Sequence, residues 1–140
     1  MNTSFKDIIF RSLKDEEILT IRVNTDSYNP VSRIADAYIH IKKNGLLLTA
    51  DGAIDYWNLK GFAEDLDKLN RLEITSLSFP VSFEQIFTIK MKSGNNGTIT
   101  NTVEFESFER EYSVVTVFDS DLSFIPDLIS QIEVILSKHK

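Results

Sequence analysis

The chain has 140 residues, of which 42% are apolar and 26% charged, and its 21 acidic and 15 basic side chains leave a net charge of −6. That balance excludes a disordered chain and disfavours nucleic acid as the main partner, and the length fits one domain spanning residues 1–140. With no cysteine and only two histidines, His40 and His139, disulfides, thiolate zinc sites and thiol nucleophiles are excluded.

The start, Met1-Asn2-Thr3-Ser4-Phe5, lacks the basic and apolar regions of a secretory signal. Leu46-Leu47-Leu48 is as long as any apolar run, far short of the roughly 20 residues that span a bilayer. The expectation is a cytoplasmic protein with no membrane association.

A strand is predicted over Phe5 to Phe10. Leu19, Ile21 and Val23 then face away from Thr20, Arg22 and Asn24, the period-2 alternation of a second strand. Asp26 to Arg33 reads as a loop. Ala35, Ala37, Ile39 and Ile41 oppose Asp36, His40 and Lys42, and Asn44-Gly45 closes a hairpin into Leu46 to Ala50, since that pair tolerates the positive φ angles of a type I′ turn. Leu59, Phe62, Leu66 and Leu69 switch to helical period, with Asn58 as the expected cap and Gly61 as the expected point of close packing on the sheet. Strands follow at Leu72 to Phe79 and Phe83 to Lys92. Asn96-Gly97 turns the chain into Thr98 to Phe108. In Tyr112 to Phe118, apolar Val114, Val115 and Val117 fall on both faces, which predicts a central strand. Leu122, Ile125, Ile129, Ile132 and Leu136 mark a second helix, capped by Asp121 or Ser123, with Pro126 in its first turn and Phe62 and Ile129 expected in one core.

The expected fold is therefore α+β: an antiparallel meander of about seven to eight strands with both helices on its apolar face. No internal repeat is visible.

Residues with chemical potential are few. His40 reads as a solvated histidine on a polar strand face, and its functional alternative is a base over an open sheet. Asp119 and Asp121 resemble a piece of a calcium loop but lack its glycine and distal glutamate, so helix capping by Asp121 is the simpler reading. Asp51 and Asp55 fit turn and cap chemistry. Trp57 reads as a lid on the core, with an exposed recognition residue as the alternative. Asp15-Glu16-Glu17 and the set Glu64, Asp65 and Asp67 read as solvated faces, or else as docking surfaces for a basic protein. No catalytic constellation, cofactor motif or metal site emerges, so the chain is not expected to be an enzyme or to need a cofactor.

Leu48-Thr49-Ala50-Asp51-Gly52, followed by Trp57, Leu59, Phe62, Leu66 and Leu69, resembles the middle of the WapI-type immunity proteins. The run from Phe83 to Phe108, and Val117-Phe118-Asp119 leading into Leu122, are similar to that family as well, so the resemblance covers Ile18 to Leu136. It implies a non-catalytic immunity protein that protects a bacterial cell by binding a cognate toxin domain, and it transfers no site residues. Glu64, Asp65 and Asp67 are the expected contacts on the acidic rim of the first helix, and the helix-free sheet face is the other surface large enough to serve. The alternatives are a structural protein that pairs as a homodimer through sheet edges, and an enzyme of unrecognised type using the polar sheet face near Tyr38 and His40. The chain is expected to be a monomer or homodimer in the absence of its partner.

Overall fold

The computed structural model describes residues 4–81, 86–106 and 113–137. Strands β1 (Phe5–Arg11), β2 (Glu17–Asn24), β3 (Ile34–Lys43) and β4 (Leu46–Asp55) form one antiparallel sheet in the order β1-β2-β3-β4. Helix α1 (Tyr56–Asn70) follows. Strands β5 (Ser76–Pro80), β6 (Ile86–Ser93), β7 (Thr98–Glu106) and β8 (Ser113–Asp121) form a second sheet, again in sequence order, and helix α2 (Ile125–Ser137) ends the described chain.

The fold is α+β, with eight antiparallel strands and two helices. The strands divide into two sheets of four, and the chain repeats one unit, four strands and a helix. That repeat is invisible as sequence because antiparallel meanders need only alternation and turns, which many different residues supply.

The two units interlock. The inner faces carry Ile8, Leu19, Ile21, Ile39 and Ile41 on the first sheet and Phe87, Ile89, Met91 and Val103 on the second, all buried. The helices pack against each other, α2 lies along β1, and α1 lies along β5. Each helix thus covers part of the sheet from the other unit. Helix α1 buries Tyr56, Leu59, Phe62, Leu66 and Leu69, a stripe one helical face wide. Helix α2 buries Ile125, Leu128, Ile132 and Ile135. Ile129 is only partly buried, since the centre of this stripe lies between Leu128 and Ile132.

Several boundaries differ from the sequence reading. Asp55 caps α1, its Oδ1 accepting from the Trp57 and Asn58 backbone N–H groups at 2.7 and 3.4 Å, so the helix begins before Asn58. Gly61 has open space where a Cβ would stand, so it serves no close approach. Strand β5 starts at Ser76 because Leu72, at φ 60°, belongs to the turn that ends α1. Strand β8 is an edge strand; its outward Val115 and Val117 are exposed. The hairpin at Asn44-Gly45 forms with positive φ at both residues, 49° and 84°. Residues 83–85 and 107–112, parts of three expected strands, lie outside the described residues, as does His139. Among the described residues no helix is long and apolar enough to cross a membrane.

Candidate functional site

Two surfaces carry exposed side chains suited to recognition. The first is built where the loop before β3 meets the start of α1. Asn29 Oδ1 accepts from the Val31 and Ser32 N–H groups at 2.8 and 3.2 Å, an Asx turn that holds the loop tip. The Arg33 N–H donates to the Asn29 carbonyl at 2.6 Å, and the Arg33 carbonyl accepts from Tyr56 N at 2.9 Å, tying the loop to the helix. Val31 is thereby presented 91% exposed.

Trp57 stands next to this loop, 55% exposed. The Arg33 guanidinium lies 4.8 Å from its ring centroid and the Lys60 ammonium 5.7 Å, both within cation–π range. Trp57 is therefore not a lid on the core. The helical wheel explains why: at 3.6 residues per turn position 57 lies roughly 180° from Leu66, on the side opposite the buried stripe. Behind it, Tyr56 and Tyr28 pack ring to ring at 4.3 Å within the base of the loop. Burial, and then the neighbouring Tyr28, push the Tyr56 phenol up to about 12.

The acidic residues singled out from the sequence share this helix. Glu64 is two turns from Trp57 on the same ridge and is exposed, whereas Asp65 is half-buried on one flank. Asp67, on the other flank, pairs with Arg71 at 2.9 Å, and Arg71 also holds Glu73 at 2.9 Å. The ridge is thus mixed in charge, with Lys60, Lys68 and Arg71 interleaved among the acids. Arg33 and Val31 were missed by the sequence reading, and for Trp57 the structure favours the exposed alternative over the lid. The capping position of Asp55 was the available signal, because it places Trp57 in the first turn.

The second surface is the outer face of the first sheet. Asp7, Thr20, Arg22, Tyr38, His40, Thr49 and Asp51 line an open groove of about 480 Å³. Arg22 grips Asp7 through two hydrogen bonds, at 2.8 and 3.0 Å, which raise its already high pKa further. Phe5 meets Tyr38 edge-on at 6.0 Å. His40 is exposed, with Thr20 and Thr49 opposite it on the neighbouring strands. Of the turn and cap chemistry expected at Asp51 and Asp55, the cap is found at Asp55, which ends β4, whereas Asp51 lies mid-strand beside the groove and not in a turn.

A cap, a cross-strand hydrogen bond and ion pairs hold the other carboxylates singled out from the sequence. Asp121 Oδ2 accepts from the Ser123 N–H at 3.0 Å and from the Ser123 hydroxyl, and these bonds lower its pKa. Asp119 Oδ1 accepts from the Thr100 hydroxyl at 3.2 Å. Arg11 lies 3.9 Å from Asp15 and 3.6 Å from Glu17. Among the described residues no group of three or more His, Asp or Glu side chains could hold a metal ion.

No family model matches the chain. No curated protein matches it either. Among solved structures it is similar to a chain from crystal structures of Trypanosoma bruciei MRP1/MRP2, with a TM-score of 0.50 and 8% identity over 99% of this chain and 86% of that one. At that identity the likeness is one of fold alone.

Proposed function

We propose that the chain is a non-catalytic protein-binding module, an immunity protein that neutralises a cognate toxin domain by covering it. The observation that carries this reading is the exposed Trp57, whose ring lies within cation–π range of Arg33 and Lys60. Tryptophan and arginine dominate interface hot spots, and a ring already fixed in place loses little conformational freedom on binding. Inhibition by occlusion needs surface and no chemistry. A standard complex covers about 800 Å² on each partner, and an exposed helix ridge together with the Val31 loop suits that role.

In this proposal Trp57 is the anchor, Val31 and Arg33 flank it, and Glu64, Asp65 and Asp67 face a basic partner. The net charge of −6 favours such a partner through long-range steering. The outer groove of the first sheet supports a second reading, an enzyme working over His40 and Tyr38. Binding is favoured because the Arg22 and Asp7 charges in that groove satisfy each other.

The test is co-expression in bacteria with the toxin domain encoded beside this chain's gene. Wild-type protein restores growth if the reading holds. Lack of rescue by folded, expressed protein contradicts it.

A further inference from the structure

The four edges of the two sheets are treated differently. The pairing of β1 with β2 is interrupted between Phe10 and Arg11, where Ile18 of β2 is the extra residue, and the Ile9 N–H of β1 donates to Gln131 Oε1 of α2 at 2.6 Å. Strand β5 is five residues long and ends in Pro80. On β8 the Asp119 carbonyl accepts from Leu13 N at 3.0 Å, and the Val117 carbonyl accepts from Lys43 Nζ. Bulges, prolines, charged side chains (lysine above all), short length and covering groups are the usual means of blocking an edge. Strand β4 has only two charged residues, Asp51 mid-strand and the helix cap Asp55, and none of the other devices. It runs ten residues in unbroken register with β3 and contains no proline, lysine or arginine. Among the described residues no hydrogen bond from outside the sheet reaches its backbone from Leu46 to Ile54.

We infer that β4 is a self-pairing edge, through which two copies of this chain join into one continuous eight-stranded antiparallel sheet. The two-residue turn at Asn44-Gly45 makes Lys43 and Leu46 a hydrogen-bonded pair, so Leu46, Leu48, Ala50 and Gly52 spend their backbone groups on β3. Leu47, Thr49, Asp51 and Ala53 then offer theirs outward. A two-fold axis at Ala50 matches this outward set to itself. It places Leu47 against Ala53, Thr49 against Asp51, and Leu46 against Ile54.

This register is chemically self-complementary, as a two-fold interface must be. Leu47, 63% exposed, gains an apolar neighbour, and the Thr49 hydroxyl can donate to the Asp51 carboxylate. Moving the axis to Asp51 would set two carboxylates directly opposite each other, and moving it to Thr49 would put Leu47 against Asp51. Both are unfavourable cross-strand pairs. The occupant of the edge is therefore a second copy. The dimer leaves the Trp57 ridge out of the β4 pairing and stands or falls independently of the proposed function.

The test is the oligomeric state of the full chain, followed by sedimentation equilibrium from low micromolar to submillimolar concentration. Wild type is expected to dimerise. Thr49→Pro removes an outward N–H that β3 does not use, and Leu47→Lys places two charges beside the pairing; each should abolish the dimer. Because the chain has no cysteine, Ala50→Cys supplies a unique thiol. At the axis the two Cα atoms of a non-hydrogen-bonded pair lie about 4.5 Å apart, within disulfide range, so mild oxidation should cross-link the dimer, whereas Thr20→Cys should not. If Thr49→Pro fails to fold by circular dichroism, the exposed Leu47→Lys decides. A wild type that stays monomeric throughout overturns the inference, as does a dimer that survives both substitutions without an Ala50→Cys cross-link. A monomer whose β4 captures an extended peptide overturns it too.

Discussion

Phe62 and Phe79 lie face to face, their ring centroids 4.3 Å apart and their planes 2° from parallel. Phe62 belongs to α1, and Phe79 to the sheet that follows it. Phe62 also stacks with Phe10 of β1, their ring centroids 6.3 Å apart. One helical side chain thus joins the two sheets.

Truncating Phe62 to Ala should therefore cost about 3–5 kcal/mol, from lost transfer energy and an unfilled cavity between the sheets. Ile132→Ala, at a fully buried position on α2, should cost about 2–5 kcal/mol. Ile129→Ala should cost less than Ile132→Ala, because Ile129 is only partly buried. Chemical denaturation of the three variants gives the order directly, and an unchanged midpoint for Phe62→Ala would show that the helix is misplaced.

Gly61→Ala should stabilise the protein. Glycine inside a helix is less favourable than alanine by about 0.5–1 kcal/mol, and the added methyl meets open space. The denaturation midpoint should rise without a change in slope. A fall would mean that a neighbour packs on that position after all.

Tyr56 makes stability depend on alkaline pH. Its phenol ionises near 10 in an unfolded chain and is pushed up to about 12 in the folded one, chiefly by burial and then by Tyr28. The folded state therefore keeps the proton longer. Its contribution to stability is fully present below pH 10 and is lost as pH rises from 10 towards about 12. Denaturation of wild type and Tyr56→Phe across that window isolates the effect. The wild type should lose more stability with rising pH, and parallel curves would remove the assignment.

Features set by local chemistry were legible in the sequence. Alternation at Leu19 to Val23 and at Ala35 to Ile41, the positive-φ turn at Asn44-Gly45 and the stripe from Leu59 to Leu69 all appear in the fold. What was not legible depends on partners distant in sequence. Nothing in Ser113–Asp121 distinguishes a central strand from an edge, because exposed Val115 and Val117 have the same β-preference as buried valines. The division into two sheets follows from α1 packing on β5 across a turn, which no local pattern encodes. Glu64, Asp65 and Asp67 were legible as a helix face, but the charge of Asp67 is shared with Arg71, and the choice between a lid and an exposed Trp57 depended on Asp55 being the cap.

If the Trp57 ridge binds a toxin domain, as proposed, titration calorimetry tests it most directly: the purified full chain against any toxin domain encoded beside its gene, using wild type, Trp57→Ala, and a triple charge reversal at Glu64, Asp65 and Asp67, each shown to be folded. The expected result is a one-to-one complex that Trp57→Ala weakens by about 2 kcal/mol or more, the range of an interface hot spot. Charge reversal should weaken binding, and added salt should slow association. Tight binding that is indifferent to Trp57 and to all three acids would contradict the claim, as would the absence of binding by the wild type.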